Sequence, residues 1–283
     1  MNCISCSNSS LLQYTKDSYM NLAVYYCNNC NLYITGNSEV QVRERSQEVY
    51  RKSYWDERGS ANALQSNYTD MDSKGKRRQW VSQYAYCKPF FENKCRMLEI
   101  GSGAGQTIVW FEEMGFNVTG IEPDNRNVEM INQKLKRGHC VVGFAEDIQI
   151  DGRFDIVWIS HVIEHLVRPD KLLEKCKNNL ENGGVLFIEV PNCENKKILK
   201  SSIYDNPSTF HFSKKALLNI AKKIGYEVVR IDFFRPPTLL EGGLNRIMKK
   251  YLNFIKNDLF PYYPKIITNN RYGTDIRLIL KKH

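Results

Sequence analysis

The chain has 283 residues, a formal net charge of +9 and nine cysteines. Its 42% hydrophobic and 25% charged content fits an ordinary globular protein, and no uninterrupted apolar run approaches the roughly 20 residues that cross a bilayer. The start lacks the basic and apolar regions of a signal peptide, so a cytoplasmic protein with reduced cysteines is expected, and the positive surplus, spread without long Lys/Arg runs, suits an anionic partner.

The first elements in the chain are two metal-ligand spacings. Cys3-x-x-Cys6 and Cys27-x-x-Cys30 form two knuckles, each bringing two thiolates to one ion, and together read as a tetrahedral structural zinc site. Segments 11–14 and 22–26 between them are expected hairpin arms. Residues 1–36 thus form a zinc-ribbon-like module, too small to fold without metal. Cys87, Cys95, Cys140, Cys176 and Cys193 lack such spacing and are expected to be buried or unremarkable thiols. Residues 37–94 are polar, with aromatics at Tyr50, Tyr54, Trp55, Tyr68, Trp80, Tyr84, Tyr86, Phe90 and Phe91. They predict a helical linker or cap, with helices over 38–56 and 76–93.

From residue 95 strands and helices alternate. Met97-Leu98-Glu99-Ile100 is a short apolar strand carrying one acid, followed by Gly101-Ser102-Gly103-Ala104-Gly105 and a helical segment. The glycines let the backbone turn tightly and approach a ligand, and a strand-to-helix turn leaves free N–H groups at the carboxyl edge of a parallel sheet. The spacing is G-x-G-x-G, not the G-x-G-x-x-G of dinucleotide binding. A second strand over 117–121 ends at Glu122-Pro123, whose carboxylate stands about 20 residues past the glycines, where ribose hydroxyls are bound. Phe144-Ala145-Glu146-Asp147-Ile148 comes next. A fourth strand, Phe154–Ser160, runs into His161-Val162-Ile163-Glu164-His165. Gly183-Gly184 leads to a strand over 185–190, capped by Pro191-Asn192. His211 falls in a loop just before a helix over 213–224, with Ser213 as its N-cap. Strands follow at 226–234 and 275–281, separated by an insertion over about 236–274. An apolar stripe from Leu244 to Ile255 there predicts an amphipathic helix, and peripheral membrane contact through it is one reading.

These features, in this order, resemble the class I S-adenosylmethionine-dependent methyltransferases over roughly residues 95–235. The resemblance implies a Rossmann-like α/β domain over 95–283, with a seven-stranded, mostly parallel sheet and helices on both faces. It implies S-adenosylmethionine held by Glu99, Gly101, Ser102, Gly103, Gly105, Glu122, Pro123 and Ser160, with Ala145, Glu146 and Asp147 around the adenine. The paired Cys knuckles in front look like those of bacterial methyltransferases of surface-polysaccharide and antibiotic-sugar pathways. Those commonly carry a Gly after the knuckle, where Ser7 and Asn31 stand here.

Methyl transfer needs the acceptor held in line and, for a hydroxyl, a base for its proton. His211, His161 and His165 are the candidates. His-x-x-Glu-His also spells a zinc-protease pattern, which the methyltransferase context rejects. A further reading joins His161, Glu164, His165 and His211 around a second divalent metal. It resembles the small-RNA 3′-terminal 2′-O-methyltransferases; a His in place of their first Glu suits magnesium less than a transition metal. No Asn/Asp-Pro-Pro-Tyr/Phe follows the fourth strand and no Pro-Cys occurs, so within this resemblance an oxygen acceptor is expected. A sugar hydroxyl, nucleotide-linked or phosphorylated, is the leading candidate. The alternatives are RNA methylation guided by the ribbon and a non-catalytic cofactor-binding partner protein; a homodimer is a further expectation.

Overall fold

Apolar residues alternate along the central strands, and that alternation builds two cores on one sheet. Met97, Ile156, Trp158, Val185 and Phe187 pack on one face; Leu98, Ile100, Val157, Ile159, Leu186 and Ile188 pack on the other. Strands buried on both faces read as continuous apolar runs. The computed structural model describes residues 2–18, 20–48, 74–205, 208–238 and 265–283. The helix expected around 244–255 and the aromatics Tyr50, Tyr54, Trp55 and Tyr68 lie outside the described residues.

The large sheet contains β4 (Arg96–Ile100), β5 (Asn117–Glu122), β6 (His139–Val142), β7 (Phe154–Ser160), β8 (Leu180–Pro191), β10 (Glu227–Arg235), β11 (Ile266–Thr268) and β12 (Asp275–Lys281). Its order is β11-β10-β12-β8-β7-β4-β5-β6. Strands β4 to β8 pair in parallel, while β12 runs antiparallel to both β8 and β10. Helices α2 (Lys74–Cys87), α3 (Gln106–Glu113) and α4 (Asn125–Lys134) contribute to the core on one face. Helices α5 (Pro169–Asn179) and α7 (Lys214–Ile224) contribute to the other, and α6 (Lys196–Tyr204) packs Leu199 and Ile203 with Val24 and Cys193 in a separate small cluster. This is the Rossmann-like α/β architecture expected from the sequence, with β11 as an eighth, edge strand that was not foreseen. Three residues, Ile266–Thr268, are too short to give a periodic signal.

Two boundaries differ from expectation for local reasons. Helix α2 stops at Cys87, because Pro89 cannot continue an α-helix and a 3₁₀ turn, Lys88–Phe90, follows. Strand β8 starts at Leu180, before Gly183-Gly184. A register shift pairs Leu180 with Phe154 and Val185 with Ile156, so the glycines occupy an irregularity within the strand.

The small sheet has the order β1-β2-β3-β9, from β1 (Leu12–Lys16), β2 (Ala23–Cys27), β3 (Leu32–Thr35) and β9 (Phe210–His211). The expected hairpin arms are β1 and β2. The fourth strand, however, comes from a distant part of the chain, at the position predicted as a loop. Tyr33 pairs with His211 and Ile34 with Phe210. Cys3, Cys27, Cys30, Leu32 and Ile34 belong to the same buried cluster as Ile188 and Leu217. Ser5 Oγ donates to the Ala216 carbonyl on α7 at 3.0 Å, and Ser213 Oγ donates to the Cys30 carbonyl at 2.6 Å. Among the described residues no helix is long and apolar enough to cross a membrane.

Candidate active site

The turn after β4 is shaped by left-handed glycines. Gly101, Gly103 and Gly105 have φ of +73°, +53° and +78°, and Gly105 is the N-cap of α3. A Cβ on Gly101 would stand 2.4 Å from Val162 Cγ2, in the segment after β7. Glycine therefore serves both the turn and the close approach of two loops.

Two carboxylates flank this turn. Glu122 is buried at the end of β5; Gly103 N–H donates to its Oε2 at 2.8 Å and Asp124 N–H to its Oε1 at 3.2 Å. Burial nevertheless pushes it up to about 7. Glu99 is buried on β4, and burial pushes it up to about 8. Its Oε2 and the Ser102 hydroxyl are buried without hydrogen-bond partners. These two unpaired groups beside the turn fit a polar, partly cationic ligand such as the amino-acid end of S-adenosylmethionine. Asp124 next caps α4, accepting from Arg126 N–H at 2.9 Å.

Beyond β6, Arg43, Ser46, Phe144, Glu146, Asp147 and Val167 line a small pocket. Glu146 accepts from the Val167 and Arg168 N–H groups, while Asp147 pairs with Arg43 at 2.8 Å. Arg43 belongs to α1 (Glu39–Glu48), which thus covers the segment expected around the adenine. Ala145 is buried and Pro123 half-buried nearby in sequence. The Ser160 hydroxyl accepts from Gln83 Nε2 at 2.8 Å.

At the end of β7, His161 takes a left-handed φ of +55°, and its ring is held on both sides. Nδ1 lies 3.4 Å from Glu164 Oε1; Nε2 lies 3.1 Å from Glu189 Oε1 and 3.5 Å from Asp275 Oδ1. Burial opposes the charged form, but Glu164 and Glu189 outweigh it and raise the imidazole to about 10. Glu189, fully buried on β8, is held well below the usual carboxylate range. Burial works against this, and the Arg277 guanidinium and His161 overcome it. Arg277 Nε donates to Glu189 Oε2, its Nη1 donates to Ser82 Oγ at 2.8 Å, and its guanidinium lies 4.1 Å from the Phe234 ring centre. Lys265 Nζ is 2.6 Å from Asp275 Oδ2 and 3.5 Å from Glu189 Oε1. Register explains the gathering. Ser160 pairs with Glu189, Glu189 with Arg277 and Pro191 with Asp275, so antiparallel β12 begins at the carboxyl edge where β8 ends.

The remaining predicted residues lie elsewhere. His165 ends a 3₁₀ turn, Ile163–His165, with Nε2 3.8 Å from Glu164 Oε1. His211 is fully buried in β9; its Nε2 meets Thr35 Oγ1 at 3.0 Å and its Nδ1 meets Ser202 Oγ at 2.8 Å. Burial pushes it down to about 3. The set His161, Glu164, His165 and His211 is thus not presented to one ion. Among the described residues the groups with ligand atoms within 4.8 Å of one another are Cys3, Cys6, Cys27 and Cys30, and His161, Glu189 and Asp275. The second group does not fit a metal, because Lys265 and Arg277 already neutralise its carboxylates. The first fits: Cys3 and Cys30 Sγ, and Cys6 and Cys27 Sγ, lie 3.4 Å apart, near the spacing that bonds of about 2.3 Å to a tetrahedral zinc require.

Sequence reasoning missed Glu189, Arg277, Asp275, Lys265 and Gln83. One signal was available: an acid inside Val185-Leu186-Phe187-Ile188-Glu189-Val190 and an Arg inside Ile276–Leu280 are charges in otherwise apolar strands. Buried charges of that kind need partners.

Residues 71–231 match the methyltransferase-domain family, and the chain belongs to it. With this strand order and glycine turn, that stretch is a class I S-adenosylmethionine-dependent methyltransferase domain. The ubiquinone biosynthesis O-methyltransferase of Bradyrhizobium sp. is 31% identical over 101 residues, 34% of this chain and 40% of the relative. Its counterpart from Nitrobacter winogradskyi is 30% identical over 95 residues, 32% of this chain and 36% of the relative. The chain spans about two fifths of the length of these curated relatives. Two solved structures share the fold. A SAM-dependent methyltransferase from Archaeoglobus fulgidus has 21% identity and a TM-score of 0.54, covering 74% of this chain and 95% of that one. The plantazolicin methyltransferase BamL, in complex with a triazolic desmethylPZN analog and SAH, has 13% identity and a TM-score of 0.56, covering 87% and 100%.

Proposed function

We propose that this enzyme O-methylates a hydroxyl of a sugar, in surface-polysaccharide or related glycan biosynthesis. The observation that carries the hydroxyl reading is the charged cluster at the end of β7, where Ser160-His161 stands in place of an Asn/Asp-Pro-Pro motif. Proton-handling groups there suit an acceptor that must lose a proton. The relatives' name, O-methyltransferase, supports the same acceptor atom. The paired Cys knuckles and the net charge of +9 support a nucleotide-linked or phosphorylated sugar.

S-adenosylmethionine, when bound, supplies a methyl carbon on a sulfonium. Glu99, Gly101, Ser102, Gly103 and Gly105 would hold its amino-acid end, Glu122 and Pro123 its ribose, and Ala145, Glu146 and Asp147 its adenine. Ser160 would complete the cofactor site, and His161 would face the acceptor. Holding that acceptor in line accounts for most of the expected rate gain. Cys3, Cys6, Cys27 and Cys30 are read as a structural zinc site. A ribbon whose sheet is completed by β9 and whose cysteines lie in the domain core supports that role over RNA capture.

The test is methyl transfer from radiolabelled S-adenosylmethionine into separated pools of nucleotide sugars, lipid-linked glycans, RNA and protein. Label in a sugar-bearing pool is expected. Label confined to RNA would overturn the reading and favour the ribbon as a substrate-binding module.

A further inference from the structure

The cluster at the end of β7 is balanced in charge. Glu164, Glu189 and Asp275 face His161, Lys265 and Arg277. Three carboxylates against three cations leave no surplus to attract an anion, which suits an uncharged reacting group such as the hydroxyl proposed above. Any anionic part of it lies farther away.

The ring of His161 has carboxylate oxygens at both nitrogens. A neutral imidazole has one N–H and one lone pair, and its lone pair would then face a carboxylate. Two carboxylate partners select the doubly protonated ring, whose raised affinity for its proton agrees with this. His161 is then a cation that donates on both sides and has no lone pair to accept a proton. His211 is fully buried with both ring nitrogens engaged. The carboxylates differ in how fully they are bound. Glu189 receives Arg277, Gln83, His161 and Lys265 and has no exposure. Glu164 has an unpaired Oε2 but is only 2% exposed, whereas Asp275, 6% exposed, is less saturated than Glu189: Oδ2 takes Lys265 and Thr274 at 2.6 Å each, and Oδ1 has only the longer 3.5 Å approach of His161.

We propose that Asp275 takes the proton of the acceptor hydroxyl, with Lys265 as the positioning residue that fixes its carboxylate and His161 as a permanent cation beside it. The inference rests on the hydroxyl-acceptor reading above. In the reaction an oxygen lone pair forms the new bond to the methyl carbon. The electron pair of the breaking carbon–sulfur bond stays on sulfur. The hydroxyl proton passes to Asp275 Oδ1 and from there to water. Asp275 is the first residue of β12, and Lys265 lies just before β11, so the end of the insertion and the last strand together complete the acceptor site.

Two measurements test this. The first is initial methyl-transfer rate into whichever hydroxyl-bearing pool the wild-type enzyme labels. Asp275→Asn should lower kcat by about 100-fold, the scale of a lost acid–base group, with S-adenosylhomocysteine binding by calorimetry kept as the check of folding. Asp275→Glu stands in if the Asn variant does not bind it, and should keep part of the rate. Lys265→Met should lower kcat, and Lys265→Arg should restore much of it. The second is nitrogen NMR of histidine-labelled enzyme, which needs no acceptor. One ring should remain doubly protonated at about pH 8, well above the ordinary histidine range, and His161→Gln should remove that signal. Label in no hydroxyl-bearing pool overturns the hydroxyl reading and this inference with it. Label in such a pool by both wild type and Asp275→Asn at similar rates overturns this inference alone, as does a neutral His161 ring.

Discussion

His161 and His211 lie on opposite sides of neutrality because their partners differ. Three carboxylate oxygens surround His161 within 3.5 Å, whereas only hydroxyls meet the His211 ring atoms. The raised His161 contributes stability that is complete below the ordinary histidine value of about 6.5 and is lost as pH rises through about 10. The depressed His211 does the reverse: its contribution is present above that ordinary value and is lost as pH falls through about 3. Unfolding free energy from urea titrations should fall toward alkaline pH less steeply in His161→Gln than in the wild type, and toward acid less steeply in His211→Asn. Parallel curves for wild type and variants would refute the assigned charge states. Gly101 gives a third prediction at this scale. An Ala there would adopt a φ of +73° and push its Cβ onto Val162. The cost should be about 1–3 kcal/mol of stability, with weaker S-adenosylhomocysteine binding by calorimetry; unchanged stability and affinity would show that the turn relaxes.

At the scale of elements, α1 is fastened by ion pairs of unequal worth. Arg43–Asp147 and Arg168–Glu39 are exposed and contribute about 0–1 kcal/mol each. Arg45–Asp17 is different: the two side chains are 3% and 0% exposed and 2.6 Å apart. Asp17 also accepts from Leu22 N–H at 2.7 Å, and Arg45 Nη1 donates to the Ser208 carbonyl at 3.1 Å. Loss of Arg45 strands a buried carboxylate, so Arg45→Met should cost about 3–5 kcal/mol by urea unfolding. A loss no larger than that of Arg43→Met would mean that water reaches Asp17. The elements most legible in the sequence were those with strong local punctuation. Ser213 caps α7, accepting from Ala216 N–H at 3.0 Å, and Gly225 ends it in the left-handed region. Strands β9 and β11 have two and three residues. They exist because a neighbouring edge pairs with them, which no local pattern encodes.

At the scale of the molecule, the Cys cluster and the domain share one core. Cys3, Cys27 and Cys30 are buried with residues of β8 and α7, and Lys223 Nζ reaches the Ile4 carbonyl. If the four thiolates hold zinc, chelation should lower the melting temperature of the whole protein as one calorimetric transition. Two separate transitions, with cofactor binding intact after the first, would show the ribbon to be an independent appendage.

The sequence by itself determined the class of protein. A glycine turn after an apolar strand, a carboxylate at the next strand end and paired CxxC spacings are local constraints, and local constraints survive without knowledge of the partner strand. Tertiary structure decided which charged groups gather at the end of β7. Asp275, Arg277 and Lys265 join the Glu189–His161 pair only because β12 inserts antiparallel between β8 and β10. That pairing joins residues more than a hundred positions apart from His161. Likewise His211, prominent in the sequence beside a helix start, is taken into the joint between ribbon and domain by strand pairing. Backbone hydrogen bonds and burial set those outcomes, and both depend on contacts that a linear pattern does not contain.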